Sequence, residues 1–84
     1  MHDIHEADKI QRIVLRTAQE NGLKNVKEII IELGSVVEHG ADITAENLEF
    51  NLRMLCKGTM AAGAKIVIKK TKINGWKLAS ISGI

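Results

Sequence analysis

A chain of 84 residues, 45% of them hydrophobic, is long enough for one domain with a thin aliphatic core. Phe50 and Trp76 are its two aromatic residues, which argues against nucleic-acid binding by base stacking. The longest apolar run is far shorter than a membrane span, and Asp3 and Glu6 argue against a secretory signal peptide. The single cysteine, Cys56, excludes an internal disulfide and suits a reducing cytoplasm.

The net charge of +2 conceals an uneven distribution along the chain. All ten acidic residues lie in residues 1–49 with five of the basic ones, whereas residues 50–84 carry seven basic residues and no acid. The basic half could dock an acidic partner or nucleic acid. Alternatively, its lysines are simply the solvent-facing residues of strands, where they also prevent edge-to-edge pairing of sheets. We favour this structural interpretation over a docking role.

Apolar residues recur at spacings of three and four through Ile4–Ala18, which predicts an amphipathic first helix. Asn21-Gly22 is a typical end for it. The β-branched run Val26–Leu33 predicts a largely buried strand that ends at Gly34.

Residues 35–43 include several small and charged residues and are predicted to form a loop. Thr44 is the predicted N-cap of a second helix that ends at Lys57-Gly58-Thr59. The side chains that this helix is expected to bury are Leu48, Leu52, Leu55 and either Phe50 or Met54.

Two further strands are predicted at Ala64–Ile73 and Trp76–Ile81, with Asn74-Gly75 as a two-residue hairpin turn between them. The element order is therefore α-β-α-β-β. It predicts an α+β fold, a two-layer sandwich in which two helices pack on one face of a three-stranded mixed sheet.

Five short segments, together spanning nearly the whole chain, carry a family resemblance. They are the Met1-His2-Asp3 start, Val26–Leu33 with Gly34, Glu46–Phe50, Lys57-Gly58-Thr59 with Gly63–Ile66, and Gly75 with Leu78–Ile81. In order and spacing they resemble the nickel-binding domain of the HypA/HybF family, the metallochaperones of NiFe hydrogenase maturation.

The resemblance implies a site for one Ni(II) built from the Met1 amine, the His2 imidazole and the main-chain nitrogens around His2 and Asp3. Nitrogen ligands of this kind suit Ni(II) or Cu(II). The resemblance also implies a cytoplasmic protein that hands nickel to a hydrogenase precursor or to a partner maturation GTPase chaperone. No catalytic role is expected, because the sequence has no Gly-rich phosphate loop and no nucleophile with a plausible base.

The chain departs from the family pattern at three places. The family carries a zinc module with two Cys-x-x-Cys pairs between its last two strands, where this chain has only Lys70–Gly75, so we expect one domain over residues 1–84 with a hairpin near residues 70–76 in place of the module. Zinc is not expected, since Cys56 and three scattered histidines cannot form a tetrahedral site. Asp3 stands where the family usually has Glu, and the segment Ser35–Ile43 is longer than usual.

Four other residues have both a functional and a structural interpretation. His5 could be a second ligand or a solvated helix residue, and His39 an accessory metal group or a surface residue. Cys56 could be a ligand or a small core residue, and Trp76 could mark a contact surface or cover the sheet. For all four we favour the structural interpretation.

Two alternatives to nickel delivery stay open. The chain could be a protein-interaction domain that retains the fold without metal delivery and docks an acidic partner on its basic strands. Nucleic-acid binding through the basic strands is the least favoured, given the scarce aromatic residues and the modest net charge. Exposed edge strands would also permit a homodimer, through edge pairing or segment exchange.

Overall fold

The computed structural model describes residues 2–35, 37–38 and 41–84, with side chains described in residues 6–35 and 43–84. The elements are α1 (His2–Glu20), β1 (Val26–Ser35), β2 (Val37–Glu38), β3 (Ala41–Asp42), α2 (Ala45–Cys56), β4 (Lys65–Asn74) and β5 (Trp76–Gly83). The predicted α+β order is confirmed for the two helices and three long strands. A short antiparallel pair, β2 with β3, lies within the segment predicted as a loop.

The apolar stripe of α1 faces the core. Among its described side chains, from residue 6 onward, the four that are fully buried are Ala7, Ile10, Val14 and Ala18, at spacings of three and four. The helix ends as predicted at Asn21-Gly22: the backbone N–H of Leu23 donates to the Ala18 carbonyl at 2.9 Å, and Gly22 has a φ of 71°. Glycine adopts this left-handed conformation without steric cost, which is why it commonly ends helices.

The predicted N-cap of α2 is confirmed, since the Thr44 hydroxyl accepts a hydrogen bond from the backbone N–H of Asn47 at 3.1 Å. The side chains that α2 buries are Leu48, Leu52 and Cys56, with Leu55 partly buried beside them. The expectation that Phe50 or Met54 would join them is wrong, because these side chains are 62% and 49% exposed. Each lies two residues beyond a buried leucine, about 200° further around the helix axis.

β1 is the central strand of the three-stranded sheet, parallel to β4 on one side and antiparallel to β5 on the other. Alternate side chains of a strand face opposite sides of the sheet. The three that pack into the core are Ile29, Ile31 and Leu33, and the three partly exposed ones on the other face are Glu28, Ile30 and Glu32. Both helices therefore cover one face, as predicted.

The predicted hairpin at Asn74-Gly75 is wrong, because β4 and β5 pair with β1 and not with each other. The chain instead crosses over the end of β1 to pass from one edge of the sheet to the other. At the crossing, the backbone N–H of Gly75 donates to the Ser35 carbonyl at 2.9 Å, and the N–H of Gly34 donates to the Gly75 carbonyl at 2.8 Å. Asn-Gly still forms the turn, with a φ of 86° at Gly75, but the buried strand β1 takes both partners.

Gly34 makes this crossing sterically possible. A Cβ atom at this position would overlap the backbone carbonyl of Ile73, which passes directly above it. The pairing of β1 with β4 shifts register here, from Leu33 opposite Lys70 to Ser35 opposite Asn74. We call this part of the sheet, where β1 ends at Gly34 and meets Gly75, the crossing end.

The opposite end of the sheet, where β1 begins, is sealed by backbone hydrogen bonds and is called the sealed end. Asn25 and Ile84 exchange two hydrogen bonds, each of 3.1 Å, and the Val26 N–H donates to the Met60 carbonyl at 2.8 Å. Ala61 is buried close by in sequence, in the connection from α2 to β4. Main-chain hydrogen bonds therefore fix both the sealed end and the crossing end of the sheet.

Candidate metal centre

The first turn of α1 lies at the crossing end. α1 precedes β1 and returns to it through residues 21–25, so it runs against the direction of β1 and begins where β1 ends. A long-range contact agrees with this placement: the indole Nε1 of Trp76 donates to Oε1 of Glu6 at 2.8 Å. Trp76 is the first residue of β5 and pairs with Leu33, near the end of β1. The N-terminal part of the chain is therefore brought next to the crossing.

The second helix begins at the same end. α2 connects the parallel strands β1 and β4, so it runs opposite to both and starts near the end of β1. Consistent with two helices that run in parallel, the amide Nε2 of Gln11 donates to the Leu55 carbonyl, late in α2, at 3.4 Å. Two helix N-termini, which are the positive ends of the helix dipoles, thus lie at the crossing end.

Glu6 places a negative charge near the positive ends of the two helix dipoles. Its side chain is only 13% exposed, and its carboxylate also contacts Lys9 Nζ at 3.3 Å. A carboxylate in the first turns of a helix is stabilised by the helix dipole. The charge of Glu6 therefore partly offsets the positive potential against which a cation at the N-terminus would bind.

Of the predicted ligands, the structure describes the backbone of His2 and Asp3. The backbone of His2 and Asp3 is helical, so both positions belong to the ordered first turn of α1. Met1 and His39 lie outside the described residues, as do the side chains of His2, Asp3 and His5. The Met1-His2-Asp3 site remains a prediction.

Cys56 is a core residue, as favoured from the sequence. It is 2% exposed, and burial raises the pKa of its thiol above the ordinary value of 9.0 because desolvation disfavours the thiolate. Among residues whose side chains are described, no three of the types His, Cys, Asp and Glu cluster in a way that could hold a metal ion.

The contact of Trp76 with Glu6 is the feature of the site that sequence reasoning missed. Trp76 was expected to cover the sheet, and it does pack partly buried against the core. Its indole N–H, however, bonds to a residue 70 positions away. No local pattern signals such a contact. In the described part of the chain, no helix is long and apolar enough to cross a membrane.

Comparison with known proteins gives the class of this domain. The HypA family model, described as hydrogenase/urease nickel incorporation, metallochaperone, matches residues 1–77. The match begins at Met1 and ends just beyond the crossing, so it includes the first turn of α1, the central strand and Trp76.

The chain belongs to the HypA family. It is 33% identical to the hydrogenase maturation factor HypA of Azoarcus sp. strain BH72, over 90% of this chain and 63% of that protein. It is 37% identical to that of Pyrococcus furiosus, over 83% of this chain and 48% of the relative. It is 35% identical to the hydrogenase maturation factor HypA of Thermococcus onnurineus, over 99% of this chain and 63% of that relative. The chain thus spans about half to two thirds of the length of these relatives.

Proposed function

We propose that this chain binds one Ni(II) as cargo through the Met1 amine, the His2 imidazole and the main-chain nitrogens around His2 and Asp3. In the cytoplasm it would pass the ion to a hydrogenase precursor or to a partner maturation GTPase chaperone. The observation that carries this proposal is the match to a nickel-incorporation family from the first residue onward. The ordered helical backbone at His2 and Asp3 supports it.

The ligand set suits a carrier that must release its ion. Nitrogen ligands in a square-planar or tetragonal arrangement are typical of Ni(II). A site at a chain terminus is open to a partner, whereas a cage in the core is not. With one cysteine in the chain, a zinc site of several thiolates cannot form, so nickel is the one metal that we propose.

Protons compete with nickel for these ligands. A free α-amine has a pKa of about 8 and an unperturbed imidazole about 6.5. Metal binding requires both groups in their deprotonated form, so nickel affinity should fall as the pH drops below about 8, and more steeply below about 6.5.

Calorimetric titration of the untagged protein with Ni(II) at neutral pH tests the proposal. We expect one equivalent to bind to the parent chain, and binding to be abolished by His2→Ala and by one additional residue before Met1. His5→Ala is the matched control, since it removes an imidazole from the same helix and should leave the affinity unchanged. Undiminished binding after both changes to the N-terminus would exclude this ligand set.

A protein-interaction role without metal delivery is the alternative. It is favoured by one observation: the edge strand β4 carries four exposed lysines, which are Lys65, Lys69, Lys70 and Lys72. Such a strand could dock an acidic partner, although lysines also prevent edge-to-edge pairing of sheets. If the parent chain takes up no nickel but retains a maturation protein in a salt-sensitive pull-down, this alternative replaces the first proposal.

Self-association is a separate question that the sheet edges raise. β4 and β5 are the two edge strands of the three-stranded sheet, and either could pair with a second copy. β5 has a single charged residue, Lys77, whereas β4 has four lysines, so β5 is the more suitable edge for a homodimer. Sedimentation equilibrium at several protein concentrations would show whether such a dimer forms.

A further inference from the structure

The hydrogen bond between Trp76 and Glu6 joins the start of α1 to the start of β5, which is itself paired with the end of β1. Glu6 lies in the first two turns of α1, and Trp76 follows the crossing directly and pairs with the end of β1. The contact is short, at 2.8 Å, and the acceptor is a carboxylate. Hydrogen bonds to charged groups are about twice as strong as neutral ones.

The position of Glu6 relates this bond to the start of the helix. Residues four apart lie on the same side of an α-helix, about 6 Å apart along its axis. Position 6 is therefore directly below position 2, where the first predicted side-chain ligand is found. Helix ends fray, and Glu6 lies close to the start of α1, next to the buried Ala7. An attachment at Glu6 therefore adds a long-range contact close to the start of the helix.

The burial of Glu6 distinguishes this contact from an ordinary surface pair. The carboxylates of Asp8 and Glu49, paired with Arg12 and Arg53, have side chains that are 39% and 40% exposed. Glu6 is 13% exposed and is bonded by an indole that packs against the core. An ion pair on the surface contributes little to local order, but a partly buried bond to an aromatic ring that packs against the core constrains this part of the helix more strongly.

We propose that Glu6 and Trp76 are positioning residues for the N-terminal nickel site. By attaching the first turn of α1 to the crossing, they hold the Met1 amine and His2 in the arrangement that grips the ion. This inference rests on the proposed function. It adds that nickel affinity depends on Trp76, near the other end of the chain. A movement of the crossing would therefore change the affinity for nickel.

Nickel titrations of four variants test this inference. Trp76→Phe keeps an aromatic ring and the charge of the protein but removes the donor, and we expect it to weaken Ni(II) affinity about tenfold, the lower end of the effect of losing a group behind metal ligands. Glu6→Leu should cause at least the same loss. Glu6→Gln keeps an acceptor oxygen for the indole but not the charge, and should recover part of the affinity relative to Glu6→Leu. Asp8→Asn is the matched control, with the same charge change on the same helix, and should shift affinity less than about twofold.

Amide hydrogen exchange of the metal-free variants provides a second readout that does not involve nickel. Trp76→Phe should speed exchange at residues 6–9 about tenfold, with no change in the central residues of β1. Equal nickel affinity and equal exchange in parent and Trp76→Phe would overturn the inference while leaving the proposed function intact. A parent chain that binds no nickel would overturn the proposed function instead. Since Glu6→Gln retains the hydrogen bond, affinity as low as in Glu6→Leu would show that charge, and not position, controls binding.

Discussion

Backbone hydrogen bonds hold both ends of the sheet, and at the crossing end a bond between side chains of α1 and β5 joins them. At the sealed end, Asn25 and Ile84 exchange backbone hydrogen bonds, and Val26 donates to Met60. At the crossing end, a backbone crossing over Gly34 is combined with a side-chain bond from Trp76 to Glu6. Backbone bonds of the first kind persist through most substitutions, except at Gly83, where a Cβ would overlap the Asn25 carbonyl. The crossing end depends on particular side chains, and this is where the helices begin and where the candidate nickel site lies.

The largest effect should come from Gly34→Ala, which breaks the crossing end. The new Cβ would meet the backbone carbonyl of Ile73, which cannot move aside without displacing β4 or β1. We expect a loss of more than ~3 kcal/mol in the free energy of unfolding, measured by urea denaturation.

Gly22→Ala is the control for this change. Gly22 has a φ of 71° but open space around its Cβ position, so the cost should be only ~1 kcal/mol of backbone strain. Equal losses for the two glycine variants would mean that the crossing does not constrain Gly34.

Core packing next to the crossing end should give the second largest effect. Leu48 is fully buried in the first turns of α2, and Leu48→Ala should cost about 2–5 kcal/mol of stability. Phe50→Ala, only two residues further, should change stability by less than ~0.5 kcal/mol because the ring is 62% exposed. Thermal and urea unfolding would measure both, and a large effect of Phe50→Ala would show that the ring is packed after all.

A smaller effect is expected at the start of α2. Thr44→Ala removes the hydroxyl that accepts from the Asn47 N–H, and should cost about 1 kcal/mol. Thr44→Ser retains the acceptor and should be nearly neutral. If the two variants unfold at the same denaturant concentration, the cap contributes nothing.

The smallest effect concerns the sealed end, where Cys56 ends α2. Burial raises the pKa of its thiol in the folded protein above 9.0, so the unfolded chain loses this proton first as the pH rises. The contribution of Cys56 to stability is therefore fully present below pH 9.0 and declines above it. Urea unfolding at pH 7 to 10 should show a steeper decline for the parent than for Cys56→Ala, and parallel curves would contradict the buried thiol.

The two helices and the three long strands could be predicted from the sequence because each carries a local signal, whereas the short pair β2 and β3 could not. The spacing of Ala7, Ile10, Val14 and Ala18 indicates a helix, and the β-branched run from Val26 indicates a buried strand. The pairing of the last two strands could not, since Asn74-Gly75 has the same turn chemistry whether it closes a hairpin or crosses over β1. What decides between them is the need of β1 for two neighbours, which is a property of the whole sheet.

The same distinction applies to the site. Met1, His2 and Asp3 could be proposed as ligands because they are adjacent in sequence and resemble the family's start. Glu6 and Trp76 could not be paired, because 70 residues separate them and neither belongs to a recognisable motif. A contact between residues so far apart in sequence becomes visible only once the fold is known.

The emission of Trp76 during a nickel titration tests the central claim most directly. It is the single tryptophan of the chain, and its indole bonds to Glu6, one helical turn from His2. A nickel ion held at the N-terminus should quench this emission with saturation at one equivalent, and His2→Ala should abolish the quenching. Emission that stays constant while nickel binds, or identical quenching in His2→Ala, would contradict a nickel site at the start of α1.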